Sequence, residues 1–209
     1  MTSLPDDADR GRPAPRQRRS DLTRVTILNA ALRVLVERGY AHTSTVAIQA
    51  EAGVTRGRML HHYPSKDALL MAAVGHLART RLAELPFGID WPDDPVERIS
   101  QATEVGWSTF HQPYFVASME LWIAARTNEA LRTALLPTER EIGATVRSAV
   151  DGFLGPELTS APGYAALYPV LLSSMRGVAT TYLIDRRDPR TDPHLELWKR
   201  MQRKYLLGE

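Results

Sequence analysis

The side chains best equipped for chemistry in this sequence fall between Ser44 and Lys66. That stretch includes Ser44-Thr45 and, further on, Thr55-Arg56-Gly57-Arg58-Met59-Leu60-His61-His62-Tyr63-Pro64-Ser65-Lys66. Guanidinium and ammonium groups supply fixed positive charge and several hydrogen-bond donors, and hydroxyls and imidazoles add shorter-range donors. At about 100° per residue, Met59 and Tyr63 fall on one side of a helix. Gly57 and His61 fall opposite, flanked by Arg58 and Leu60. Such a helix has an apolar back that can pack and a basic front that can offer donors to phosphates and base edges. Taken singly, Arg56 and Arg58 read as solvated surface charges; on the exposed side of this segment, contact with DNA is the stronger reading. The two histidines do not suggest a metal site, because neighbouring helical side chains diverge by about 100° and no third ligand stands at a useful spacing.

Composition narrows the alternatives. The 209 residues include no cysteine, which excludes disulfides, thiolate metal sites, iron–sulfur clusters and cysteine nucleophiles. The net charge of +2 hides an asymmetry: residues 1–66 hold 11 Arg/Lys against 6 Asp/Glu, and residues 67–209 hold 15 against 18, so the two parts carry +5 and −3. A local cationic surface is what counterion release rewards. No apolar run reaches the roughly 18 residues of a membrane span, and the polar, Arg-rich start is unlike a signal peptide, so a soluble cytoplasmic protein is expected. No nucleophile elbow, phosphate-binding glycine loop or metal spacing is present. An enzyme built on His111, Glu120 or Asp185 therefore has no supporting motif, and neither a cofactor nor a metal is expected.

The elements that must hold the basic segment in place are helices. Val25, Leu28, Ala31, Leu32 and Leu35 recur at three- and four-residue intervals from Ser20 onward, with Gly39 as a stop. Ser44 is suited to cap a helix over Thr45 to Ala52, Gly53 to turn the chain, and Thr55 to cap a short helix ending near Tyr63. Pro64 closes that helix and Ser65 caps the next, Lys66 to about Leu85. Five further helices are expected at Pro95 to His111, Pro113 to Arg126, Asn128 to Phe153, Tyr164 to Ile184 and Pro193 to Leu207. The expectation is an all-α fold of about nine helices. Residues 1–19 read as a disordered basic arm, 20–66 as a helix-turn-helix DNA-binding domain with its motif at 44–63, and 67–209 as a second helical module.

From about Asp21 to His76 the chain resembles the tetracycline-repressor (TetR) family of regulators. In that family the helix-turn-helix is followed by an aromatic–His–Phe/Tyr–x–Ser–Lys stretch, which His61-His62-Tyr63-Pro64-Ser65-Lys66 matches. The resemblance implies that Ser44 and Thr45 touch phosphate and that Arg56, Gly57 and Arg58 approach base edges. It likewise implies that His61 and His62 sit at the DNA backbone and that Lys66 binds phosphate. Leu60 departs from the pattern, standing where the family commonly has a tyrosine; leucine cannot donate, so that bond is lost or replaced by apolar contact with sugar or a thymine methyl.

Beyond the head, Trp107, Phe110, His111, Tyr114, Phe115, Met119 and Trp122 crowd two helices broken at Gln112-Pro113, with Tyr168 on a later helix as a further wall. Ordinary core and an apolar pocket both fit this density. The family resemblance implies that residues 67–209 are an effector-binding and dimerisation domain, with a cavity here for a small apolar or aromatic effector. The last two helices carry more apolar surface than one partner needs, at Leu171, Met175 and Val178 on the first and Trp198, Met201 and Tyr205 on the second. The resemblance implies a homodimer through these helices, reading a near-palindromic double-stranded operator; burial within one monomer is the alternative. The function expected is a repressor released from its operator by a small molecule. Its rival is a DNA-binding protein whose C-terminal module binds another protein.

Overall fold

The computed structural model describes residues 15–84 and 90–209, and among these every regular element is helical. The helices are α1 (Pro15–His42), α2 (Thr45–Ala52), α3 (Arg56–His62), α4 (Lys66–Glu84), α5 (Pro95–Thr109), α6 (Pro113–Ala125), α7 (Glu129–Thr159), α8 (Tyr164–Thr181) and α9 (His194–Leu207), with one 3₁₀ turn at Pro189–Thr191. None of the described helices is long and apolar enough to cross a membrane. The first helix starts at Pro15, not Ser20, so residues 15–19 of the expected arm are helical; a proline's fixed φ suits a first helical turn. Residues 1–14 of that arm lie outside the described residues. Helix α7 runs past Phe153, and its backbone leaves helical geometry at Gly155.

Three packed clusters organise the chain. The largest joins the head to what lies above it. Ile27, Ala31 and Leu35 of α1, Ile48 of α2 and Met59 of α3 share a core with Leu70 and Val74 of α4, Leu121 of α6 and Leu131 of α7. A second gathers Ile99 of α5 with Phe153 and Leu158 of α7 and Tyr164 of α8. The third holds Trp107, Phe110, Phe115, Met175 and Trp198, drawn from α5, α6, α8 and α9. Helix α6 is therefore shared: Ala117, Leu121 and Ala125 pack into the head, while Phe115 and Met119 pack into the distal cluster.

Candidate nucleic-acid interface and effector cavity

Each short helix of the head is fixed at its start by the side chain that precedes it. Ser44 Oγ accepts from the Ala47 N–H at 3.1 Å, and Thr55 Oγ1 accepts from the Arg58 N–H at 3.4 Å. Ser65 does the same for α4 through the Ala68 N–H at 3.1 Å. These bonds satisfy amide donors that a helix N-terminus leaves open. Between α2 and α3, Gly53 turns the chain at φ 64°, in the left-handed region that disfavours a Cβ. Ile48 and Met59 are buried where the helices cross, and Arg33 of α1 holds Glu51 of α2 at 2.7 Å.

Helix α3 divides as its sequence requires. Met59 and Tyr63 turn inward, and Arg24 Nε donates to the Tyr63 hydroxyl at 3.1 Å from α1. Arg56, Gly57, Arg58, Leu60 and His61 are exposed and His62 is half-buried, its ring 5.4 Å from that of His61. The side chains of Arg56 and Arg58 make no hydrogen bond or ion pair among the described residues, so their donors are free. Nothing lies within 4 Å of where a Gly57 Cβ would stand, which leaves the backbone open to close approach. Ser44 is exposed and Thr45 half-buried beside them at the start of α2. The same surface holds an aliphatic side chain that the sequence reading missed: Val46 is 71% exposed, next to the capping serine.

Lys66 is less free than expected. Its Nζ lies 3.9 Å from the centre of the Tyr40 ring and donates to the Tyr40 carbonyl at 3.3 Å. The Tyr40 hydroxyl in turn donates to Asp67 at 2.7 Å.

Behind the head lies a cavity of about 320 Å³, mostly apolar, walled by α5, α6, α7 and α8. Of the residues expected to form a pocket, Phe110, Tyr114, Phe115, Met119, Trp122 and Tyr168 line it. Trp107 and His111 do not. Trp107 packs against Trp198, with ring centres 4.9 Å apart, and its indole donates to Pro189 O at 2.7 Å. His111 lies edge-on to Trp107 and Tyr182, outside the cavity wall. Trp107 points from α5 toward α9, and His111 follows in the turn after the helix end.

The residues expected at a dimer interface lie mostly inside their own chain. Leu171 and Met175 line the cavity of their own chain, and Trp198 is 1% exposed, with its indole donating to Ser174 Oγ at 2.9 Å. Val178 and Met201 are half-buried against the same cluster, and of the six only Tyr205 is openly exposed. The outward face of α8 consists instead of Ala166, Pro169, Val170, Ser173, Gly177 and Thr181, at helical spacing, with Leu197 exposed on α9. The inward face carries the large side chains, whereas the outward one is marked by small residues. Alternating small and large residues around α8 was the available signal.

Two short helices set at a glycine turn, the second buried at its back and free in its arginines at its front, define a helix-turn-helix DNA-binding regulator. Residues 27–73 match the family described as "Bacterial regulatory proteins, tetR family". Over 168 residues, 77% of this chain and 79% of the other, the sequence is 31% identical to the HTH-type transcriptional regulator CymR of Pseudomonas putida. The fold is similar to that of FadR from Bacillus subtilis in complex with stearoyl-CoA, with TM-score 0.62 and 18% identity over 88% of this chain and 98% of that one. It is also similar to the multidrug binding protein EbrR complexed with ethidium, with TM-score 0.57 and 23% identity over 88% and 97% of the two chains. The chain belongs to the TetR family of helix-turn-helix transcriptional regulators.

Proposed function

We propose that this regulator is a homodimeric repressor that leaves its operator when a small molecule occupies the cavity behind the head. In this reading residues 20–66 contact DNA and residues 67–209 bind effector and partner, without catalysis. Arg56, Gly57 and Arg58 face base edges. Ser44, Thr45, His61 and His62 meet the sugar-phosphate backbone, and Lys66 is a secondary phosphate contact reached only by leaving Tyr40. The outward faces of α8 and α9 pair across a two-fold axis, bringing two copies of α3 to half-sites one helical turn, about 34–36 Å, or more apart.

The observation that carries the effector reading is the position of α6. Its Phe115, Met119 and Trp122 line the cavity, while Glu120, on the same helix, accepts the Tyr40 N–H at 2.8 Å. That amide follows Gly39, where α1 breaks with φ 71°. A Cβ at Gly39 would stand 3.1 Å from the Glu120 carboxylate, so the close approach and the positive φ both call for glycine. A ligand that repositions α6 thus acts on the end of α1, beside Lys66 and Asp67 at the start of α4. Such a ligand changes DNA occupancy only through differential affinity for the two head arrangements. That two fold relatives are named in complexes with stearoyl-CoA and with ethidium supports a ligand in this module over a protein partner.

Selection of bound fragments from a random DNA pool tests the DNA half: an inverted repeat is expected, and a single asymmetric site or no enrichment overturns the dimeric reading. Gel-shift titration on the selected operator tests the other half. Release by a compound that leaves the Met119→Trp variant bound, its cavity filled, is the expected result.

A further inference from the structure

The polar groups of the cavity wall are not equally provided for. Gln202 Nε2 donates to Thr103 Oγ1 at 2.5 Å, and Thr109 Oγ1 donates to Gly106 O at 2.7 Å. Trp122 of α6, Glu139 of α7 and Arg176 of α8 form a further polar group on the cavity wall. Trp122 Nε1 is buried without a well-formed hydrogen bond. The Arg176 guanidinium lies 4.9 Å from the centre of the Trp122 ring and makes no hydrogen bond or ion pair among the described residues. Glu139 lies near enough to feel that charge without forming a salt bridge. The indole N–H and the guanidinium thus share one loosely placed acceptor, Glu139, and a buried donor short of a well-formed bond costs about 1–3 kcal/mol, so the pair has room for a second acceptor.

A cation is poorly served, because Arg176 already covers the Trp122 ring and would repel it. A neutral carbonyl meets the two donors but brings no counter-ion to within salt-bridge distance of the guanidinium, which Glu139 does not reach either. A carboxylate satisfies both, and an arginine fork matches its geometry. We infer that the effector is a small apolar molecule bearing a single carboxylate, held by Arg176 and the Trp122 indole N–H, with Glu139 donating a hydrogen bond to it. This identification rests on the effector-site reading above.

Glu139 must be neutral to donate. Burial already pushes its carboxyl above the ordinary range, with the Trp122 N–H and Arg176 partly offsetting that effect. A second carboxylate alongside raises it further, so binding takes up a proton and acid affinity falls as pH rises. The other titratable groups on this wall are Tyr114 of α6 and Tyr168 of α8, whose phenols are both raised by burial. Neither titrates near neutrality.

Calorimetric titration of the full chain with hexanoate, octanoate and phenylacetate, each beside its primary amide and the corresponding amine, tests the assignment. Acids are expected to bind about tenfold or more tightly than their amides, as a charge-assisted pair implies, and the amines more weakly still. Arg176→Met should erase the preference for acid over amide while amide binding persists, and Arg176→Lys should restore part of it. Glu139→Gln should bind acid without the proton uptake seen in buffers of different ionisation enthalpy. Amides matching acids, amines preferred, or no acid bound by a protein that still binds DNA would each overturn the carboxylate assignment. In those outcomes the regulator reading survives; it falls only with loss of operator binding itself.

Discussion

Arg56 and Arg58 leave α3 with no partner to give up, whereas Lys66 is already bonded to Tyr40, and that difference orders their roles on DNA. Arg58→Ala is expected to relax base preference at one operator position by about 1–3 kcal/mol, read from the shift in selected sequences. Lys66→Ala should weaken all sequences alike and flatten the salt dependence by less than the roughly one unit a free phosphate contact gives. Equal and sequence-independent losses in both variants would refute this division. A second residue-scale expectation concerns Asp192, which is buried between α8 and α9. Burial works to raise its carboxyl, but hydrogen bonds from the Tyr182 hydroxyl, the His194 amide and the His194 ring outweigh it and hold it below the ordinary range. A depressed carboxylate contributes stability that is present above its unfolded-state value and lost as pH falls through the folded one. Thermal unfolding of wild type should therefore steepen below the ordinary aspartate range, and Asp192→Asn should be less stable at neutral pH with a shallower acid limb. An unchanged acid limb in the variant would remove Asp192 from the account.

Among the elements, α6 has the heaviest double duty, since one helix lines the cavity and holds the end of α1. Glu120→Ala strips the acceptor from the Tyr40 N–H, a loss of about 1–3 kcal/mol if the amide stays buried. The expected signature is an effector that still binds but changes operator affinity less than in wild type. If the variant keeps the full effector response in a gel shift, the signal travels by α4 alone. Helix α2 offers a contrasting case. Its cap bond from Ala47 N–H to Ser44 is a local matter, and losing it through Ser44→Ala costs about 1 kcal/mol of head stability without touching the cavity.

For the whole molecule the decisive surface is the outward face of α8. Its Ala166, Val170, Ser173 and Gly177 allow another helix to come close, and nothing large projects from the stripe they form. Val170→Asp and Gly177→Arg are expected to yield a helical monomer by light scattering, with operator binding falling steeply because the two half-sites are no longer linked. A dimer that persists in both variants would move the interface elsewhere. The single core running from α1 and α2 through α4 into α6 and α7 bears on the same question. Head and effector module share buried side chains, so no break in packing separates residues 66 and 67. In the proposed reading their division is one of role, and the shared core gives a ligand's effect a route to the head.

Local physics made the head readable in the sequence. Caps at Ser44, Thr55 and Ser65, the turn at Gly53 and the stop at Gly39 depend on neighbours in the chain, and they stand where the residue types put them. The inward Met59 and outward Arg58 follow from helical periodicity alone. Where two helices with apolar sides choose partners, periodicity is silent, because an apolar stripe reads the same whether a neighbouring helix, a cavity or a second subunit covers it. Trp107 and Trp198 thus turned out to pack on each other, Leu171 and Met175 to face the cavity, and Arg176 and Glu139 to stand on one wall. Those pairings join residues far apart in the chain, and only the tertiary arrangement of α5 to α9 decides them.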